Sequence, residues 1–231
     1  MNWLEFSEVV TLICLTVAPS ALAQSCGGGP CNCYDCYGNC LLDSTQGCCS
    51  VSPIVVDLSG RGFSLTSAEN GVDFDFFGNG KLTRISWIAQ NSPNGWLVLD
   101  RSHNGIIDNA KEMFGNLTEQ PESRNPNGFL ALAVFDRPEN GGNGDGIIDA
   151  RDSVYASLRI WVDSNHNGVS EPGELFTLQE LDILSISLDY KLSMRVDEFG
   201  NQFRYRSTIQ GTAHSRIDRQ IYDVFLVVPR S

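Results

Sequence analysis

Oxygen-bearing side chains fall at alternate positions in Asp163-Ser-Asn165-His-Asn167-Gly168-Val-Ser-Glu171-Pro-Gly-Glu174. A chain that turns sharply through such a stretch brings its first, third and fifth side chains to one point. Glycine in sixth place permits the turn, the seventh residue offers a backbone carbonyl, and a glutamate in twelfth place closes the site with both carboxylate oxygens. The stretch satisfies D-x-[DN]-x-[DN]-G-x5-E in full, the pattern of a calcium loop. The expected ligands are Asp163, Asn165, Asn167, the Val169 carbonyl, a water held by Glu171, and Glu174. With few charged ligands, the expected affinity is weak, about 10⁻⁴ to 10⁻³ M as in extracellular modules.

Partial copies of this EF-hand-type loop recur along the chain. Asp100, Ser102, Asn104, the Ile106 carbonyl and Asp108 keep the spacing, but Glu112 comes one residue late. Asn143, Asp145, the Ile147 carbonyl, Asp149 and Asp152 form another copy. Gly141 holds its first position, so Asp136 or Asn140 would have to reach across. The runs 57–62 and 75–80 place Arg61 and Phe77 where ligands belong and read as ordinary Asx-Gly turns. His103 and His166, each fourth in its loop, read as solvated. So does His214, in a polar stretch near the end.

The chain has 231 residues and a formal charge of −12. That balance argues against nucleic acid, because phosphate binding needs clustered lysine and arginine. Residues 1–23 read as a signal peptide, with an apolar core from Val9 to Val17 and Ala21-Leu22-Ala23 before the cleavage point. Glu5 and Glu8 stand where basic residues are usual. The apolar run is too short for a permanent membrane span. The expectation is an exported protein, secreted or on the cell surface, with no membrane span.

Cys26, Cys31, Cys33, Cys36, Cys40, Cys48 and Cys49 crowd into residues 24–50, and no cysteine follows. In an exported chain this reads as a disulfide-rich segment. The odd number leaves one free or intermolecular thiol. Residues 51–231 are then one domain, long enough to bury its own core.

The elements that must position the loops fall into three blocks. Residues 53–100 read as short strands bounded by Gly, Asn and Pro, at 54–58, 72–76, 84–88 and 96–99. The middle, 127–183, reads as helix–loop–helix–loop–helix. Phe129–Phe135 leads into the third loop, Val154, Leu158 and Trp161 keep helical spacing, and Thr177-Leu-Gln-Glu180 is a capping box. The end returns to strands at 183–190, 193–196, 202–207 and 222–228. The expected fold is α+β, with short β-strands flanking a central EF-hand-like unit.

Val56-Asp-Leu-Ser-Gly-Arg-Gly62, Trp96-Leu-Val-Leu-Asp-Arg-Ser-His-Asn-Gly-Ile-Ile-Asp108, Glu112-Met-Phe-Gly115, Asn127-Gly-Phe-Leu-Ala-Leu132, Gly144-Asp-Gly-Ile-Ile-Asp149 and Leu158–Gly168 follow in order. Together they resemble the calcium-binding module of RTX-type exoproteins, which in some members is self-processing. The whole chain is similar to small exported bacterial proteins. The resemblance implies a calcium-binding, non-enzymatic exported module. The alternative is a dockerin-like adhesion or assembly module that uses calcium to present a face to another exported or cell-surface protein. Self-processing, also implied, cleaves an Asp-Pro bond through an aspartyl anhydride. The matching dipeptide is Ser52-Pro53, which lacks that carboxyl, and the chain has no Asp-Pro.

Overall fold

The computed structural model describes residues 33–34, 40–41, 51–212 and 219–228. The expected signal peptide and cysteine-rich segment lie outside the described residues, as does His214. The exceptions are the two-residue strands β1 (Cys33–Tyr34) and β2 (Cys40–Leu41), which pair antiparallel.

Ile54-Val-Val-Asp57 forms β3 and is buried along its whole length. An apolar run without alternation suits a strand covered on both faces, and the sheet around it is covered in that way. The strands that follow are β4 (Val72–Phe74), β5 (Thr83–Ile85), β6 (Asn94–Val98), β7 (Ile147–Asp149), β8 (Arg159–Trp161), β9 (Leu175–Thr177), β10 (Ser185–Ser187), β11 (Lys191–Val196), β12 (Gln202–Gln210) and β13 (Arg219–Phe225). Nine of them make one sheet in the order β7-β10-β12-β13-β3-β6-β8-β9, with β11 sharing an edge of β12 beside β10. Every pairing in it is antiparallel. The hairpin β4–β5 stands apart from this sheet.

Register sorts the core into two layers. Tyr222, Val55, Trp96, Trp161 and Leu175 lie opposite one another across β13, β3, β6, β8 and β9. With Phe74, Phe76 and Trp87 from the hairpin region they form one apolar cluster. The alternate residues Ile54, Val56, Leu97, Ile160 and Ile221 belong to a second cluster with Phe129, Leu132, Leu158 and Ile183. Three tryptophans, Trp87, Trp96 and Trp161, are fully buried. Trp87 sits 5.0 Å from Trp96 and 5.4 Å from Trp161, ring centre to ring centre. Tilted and edge-on pairs of this kind add about 0.5–1.5 kcal/mol each beyond area burial.

The central helix–loop–helix–loop–helix unit expected over 127–183 is not formed, and the fold is mostly β. Among the described residues the α-helix is α1 (Gly128–Ala133), followed by single 3-10 turns at Val134–Asp136 and Pro138–Asn140. The stretch expected to be the shared helix ends in β8, where Ile160 and Trp161 are consecutive and both fully buried, on opposite faces. A helix on a sheet buries one stripe and cannot satisfy adjacent residues in two layers. The Thr177/Glu180 capping box does form, with Thr177 N–H donating to Glu180 Oε2 (2.7 Å) and Glu180 N–H to Thr177 Oγ1 (3.1 Å). It closes a turn after β9, with no helix beyond it. Local capping chemistry fixes one turn; propagation needs further apolar turns to bury.

Asp223 of β13 is fully buried. Its Oδ2 accepts the Gly128 N–H at the start of α1 (3.0 Å), and its Oδ1 has no hydrogen-bond partner. Burial pushes this carboxyl up to about 7, against the Ser52 hydroxyl, the Gly128 N–H and the Arg204 charge. The folded state therefore holds a proton that the unfolded chain releases near pH 4. This group's contribution to stability is full below that point, falls as pH rises and is gone above about 7. The whole change is roughly 4 kcal/mol. Asp223→Asn should flatten that part of the stability–pH curve, as read by chemical denaturation from pH 4 to 8. An unchanged slope in the variant would contradict the assignment.

Candidate metal centre

One hydrogen bond recurs in five loops among the described residues. The aspartate in first place accepts the N–H of the glycine in sixth place. Gly62 donates to Asp57 (2.7 Å), Gly80 to Asp75 (2.8 Å), Gly105 to Asp100 (2.8 Å), Gly146 to Asp136 (2.9 Å) and Gly168 to Asp163 (2.8 Å). Asp136 thus takes the first position of the third loop from outside its spacing, and also accepts the Gly144 N–H. Asn140 instead turns back to the Val134 carbonyl. The runs at 57–62 and 75–80 are turns, as read, yet are built by the same device.

The side chain in fifth place repeats a second bond, accepting the N–H of the seventh residue. Asn104 accepts from Ile106 (2.9 Å), Asp145 from Ile147 (3.1 Å) and Asn167 from Val169 (2.7 Å). The closing carboxylate pins the ends of each loop together. Glu112 accepts the N–H groups of Arg101, Ser102 and Asp108; Asp152 accepts those of Asn143 and Asp149; Glu174 accepts those of Ser164 and Glu171. The late Glu112 closes its loop just as Glu174 does.

The loops differ in what faces inward. At 136–152 the Arg151 guanidinium lies 2.5 Å from Asp145 Oδ2 and 2.6 Å from Asp149 Oδ2, so two would-be ligands already hold a cation. Hydrogen bonding to Arg151 holds the Asp149 carboxyl below its usual range. At 100–112 the Ser102 hydroxyl donates to Asp100 and the Asn104 amide to Asp108 (3.0 Å). At 163–174 the amides of Asn165 (3.3 Å) and Asn167 (2.9 Å) both donate to Glu171 Oε1, while Glu171 Oε2 is buried without a partner. Burial pushes the Glu174 carboxyl up and the neighbouring Glu171 carboxyl adds to that, while the Asn167 amide holds Glu171 down.

This last loop is anchored from below. Trp87 Nε1 donates to Asp163 Oδ2 (2.8 Å) and Trp161 Nε1 to Glu174 Oε2 (3.2 Å). His166 is a fastener where a solvated ring was expected. Its Nδ1 lies 2.7 Å from the Ile88 carbonyl and its Nε2 2.8 Å from the Asn70 carbonyl. These anchors carry no signal in the loop pattern itself. The two tryptophans lie outside it, and His166 occupies a position the pattern leaves free.

Among the described residues no three His, Cys, Asp or Glu side chains gather into a group that could hold a metal ion. Of the eighteen expected donors eight are neutral, from Asn, Ser and backbone carbonyls, and carboxylates such as Asp100, Asp136, Asp163, Glu112, Asp152 and Glu174 are turned toward backbone N–H groups. At Glu171 three side chains converge beside a buried oxygen with no partner. A hard cation that takes mixed carboxylate and carbonyl oxygens fits that donor set, and Asp163, Asn165, Asn167, Glu171 and Glu174 would hold it.

Gly168 carries the turn at φ +72°, and a Cβ there would meet Val72 at 2.9 Å and 3.0 Å. Gly168→Ala should therefore destabilise the domain by about 1–2 kcal/mol from the left-handed backbone alone, before the clash with β4. Thermal or chemical denaturation without added metal reads this. A variant as stable as the parent would show that the loop is not seated on β4.

Comparison with known proteins bears on the same stretch. A region of 142 residues, 60% of this chain, is 40% identical to the iron-regulated protein FrpA of Neisseria meningitidis serogroup C. The match covers 12% of that protein, so the chain spans about an eighth of its relative's length. The family model of the SPM domain matches residues 54–227, from the first residue of β3 to just beyond β13. The chain belongs to the SPM domain family.

Proposed function

We propose that this chain is an exported calcium-binding module without enzymatic activity of its own, and that its principal site is 163–174. The observation that carries the reading is the convergence of Asn165 and Asn167 on Glu171, whose second oxygen is buried and unpartnered. The cation would supply positive charge between Glu171 and Glu174, two neighbouring carboxyl groups, the second of which is pushed up first by burial and then by the first. Asp163 and Glu174 set the ligands by gripping the loop's own N–H groups and the indoles beneath. Loop 100–112 is the second site. Loop 136–152 is the weakest, because Arg151 competes for Asp145 and Asp149.

The alternative, an assembly module that presents a face to another exported or cell-surface protein, draws support from β11. Leu192, Met194 and Val196 on that edge strand are 74%, 94% and 56% exposed, with Phe199 beside them. Among the described residues no helix is long and apolar enough to cross a membrane. Self-processing is not adopted. Ser52 offers a hydroxyl, already bonded to Asn116, where the anhydride route requires a carboxyl.

Calorimetric titration of the full chain tests the reading. Calcium should bind with a Kd of about 10⁻⁴ to 10⁻³ M, and magnesium much more weakly, because it demands tighter octahedral geometry. Glu174→Gln should abolish the strongest step. The same stoichiometry and affinity in that variant would sink the site.

A further inference from the structure

The guanidinium of Arg101 packs against two phenyl rings, with Cζ 5.3 Å from the centre of Phe114 and 5.4 Å from that of Phe135. Its Nε–H donates to the Lys111 carbonyl (2.8 Å), which fixes the plane of the group. None of the three ion pairs among the described residues includes it, and its terminal N–H groups meet no acceptor there. The acids nearby are committed to backbone. Glu112 accepts the N–H groups of Arg101, Ser102 and Asp108, and Asp100 those of Asn104 and Gly105. Burial pulls the Arg101 pKa down, against the charges of Glu119 and Glu112. The guanidinium is thus half-buried with no anion paired to it, a cost that an incoming anion would offset.

Arg101 stands in the wall of a cleft of about 380 Å³. Leu99, Phe135 and Val154 line it with apolar surface continuous with the second core cluster, and Asp100 and the exposed Ser157 complete the wall. The volume falls in the range of small-molecule sites, and apolar walls with a few placed polar groups are their usual composition. We propose that this cleft binds a small organic carboxylate with an aryl or branched alkyl body, held by Arg101. A carboxylate meets the planar fork of a guanidinium with two parallel hydrogen bonds. Packing on Phe114 and Phe135 sets the fork before the ligand arrives. Phosphate would meet the same charge but leave Leu99, Phe135 and Val154 uncovered. The inference is separate from the calcium reading: a chain that takes up no calcium is still expected to bind the acid.

The experiment titrates the full nitrogen-15-labelled chain with phenylbutyrate and, separately, with its neutral amide and with inorganic phosphate. It is run with calcium and with chelator, and is read wherever near-UV circular dichroism shows the domain folded. The backbone amides of Ser153 and Ser157 report on the cleft. The acid should shift both saturably, with a midpoint at about 10⁻³ M for a ligand of this size. The amide and phosphate should bind about tenfold more weakly or worse, the amide because a hydrogen bond to a charged group contributes that much. Arg101→Lys keeps the charge and loses the fork, and should weaken the acid about tenfold. Ser157→Trp fills the cleft from its exposed side and should abolish the shift at Ser153. No shift in the parent, an amide that binds as tightly as the acid, or an unweakened Arg101→Lys overturns the proposal. Phosphate binding as tightly as the acid overturns it too, because the apolar wall would then add nothing. If Arg101→Lys does not fold, the acid and amide in the parent, with Ser157→Trp, still decide.

Discussion

Two indole N–H groups leave the aromatic cluster, and both end on carboxylates of one loop. Trp87 holds Asp163, and Trp161 holds Glu174. A buried indole N–H needs an acceptor, and a carboxylate at the edge of the core needs donors. Each requirement meets the other here. The consequence reaches through the fold. Trp161 is fixed by its place opposite Trp96 and Leu175 in the sheet, and Trp87 by the layer that covers it. The loop between Asp163 and Glu174 therefore hangs from fully buried tryptophans of the core.

The carboxylate–glycine bond repeated in five loops explains how a chain this acidic folds into short strands joined by such turns. Each first aspartate satisfies backbone N–H groups that no strand or helix would otherwise use. The negative charge is then concentrated at the turns. At 136–152 the charge is met by Arg151; at 163–174 the Glu174 carboxyl, pushed up by burial, stands beside Glu171. That difference ranks the loops more sharply than their match to a pattern does.

Much of this was legible in the sequence, and what was not has identifiable causes. The segments around β3, β4, β6, β12 and β13 announce themselves by β-branched and aromatic residues between turn residues. The loops announce themselves by alternating oxygens. The middle misleads because Val154, Leu158 and Trp161 fit a helical spacing that the sheet overrides: Ile160 and Trp161 serve two layers at once. The pairing of loops misleads for a related reason. Neighbours in sequence, 136–152 and 163–174, read as the natural partners, but the contact runs from 163–174 to 100–112 through Ser170, a residue the pattern leaves unspecified. Asp223 is invisible to any local reading, since its burial arises from β3, β12 and α1 closing around it.

The account stands or falls on a cation entering the loop that Trp87 and Trp161 support. Tryptophan fluorescence during a calcium titration reads that event directly, because both indoles bond to the loop's first and last carboxylates. The account predicts a saturable change with a midpoint at about 10⁻⁴ to 10⁻³ M calcium, reversed by chelator and much weaker with equal magnesium. Emission that stays flat through that range, or responds alike to both ions, would contradict it.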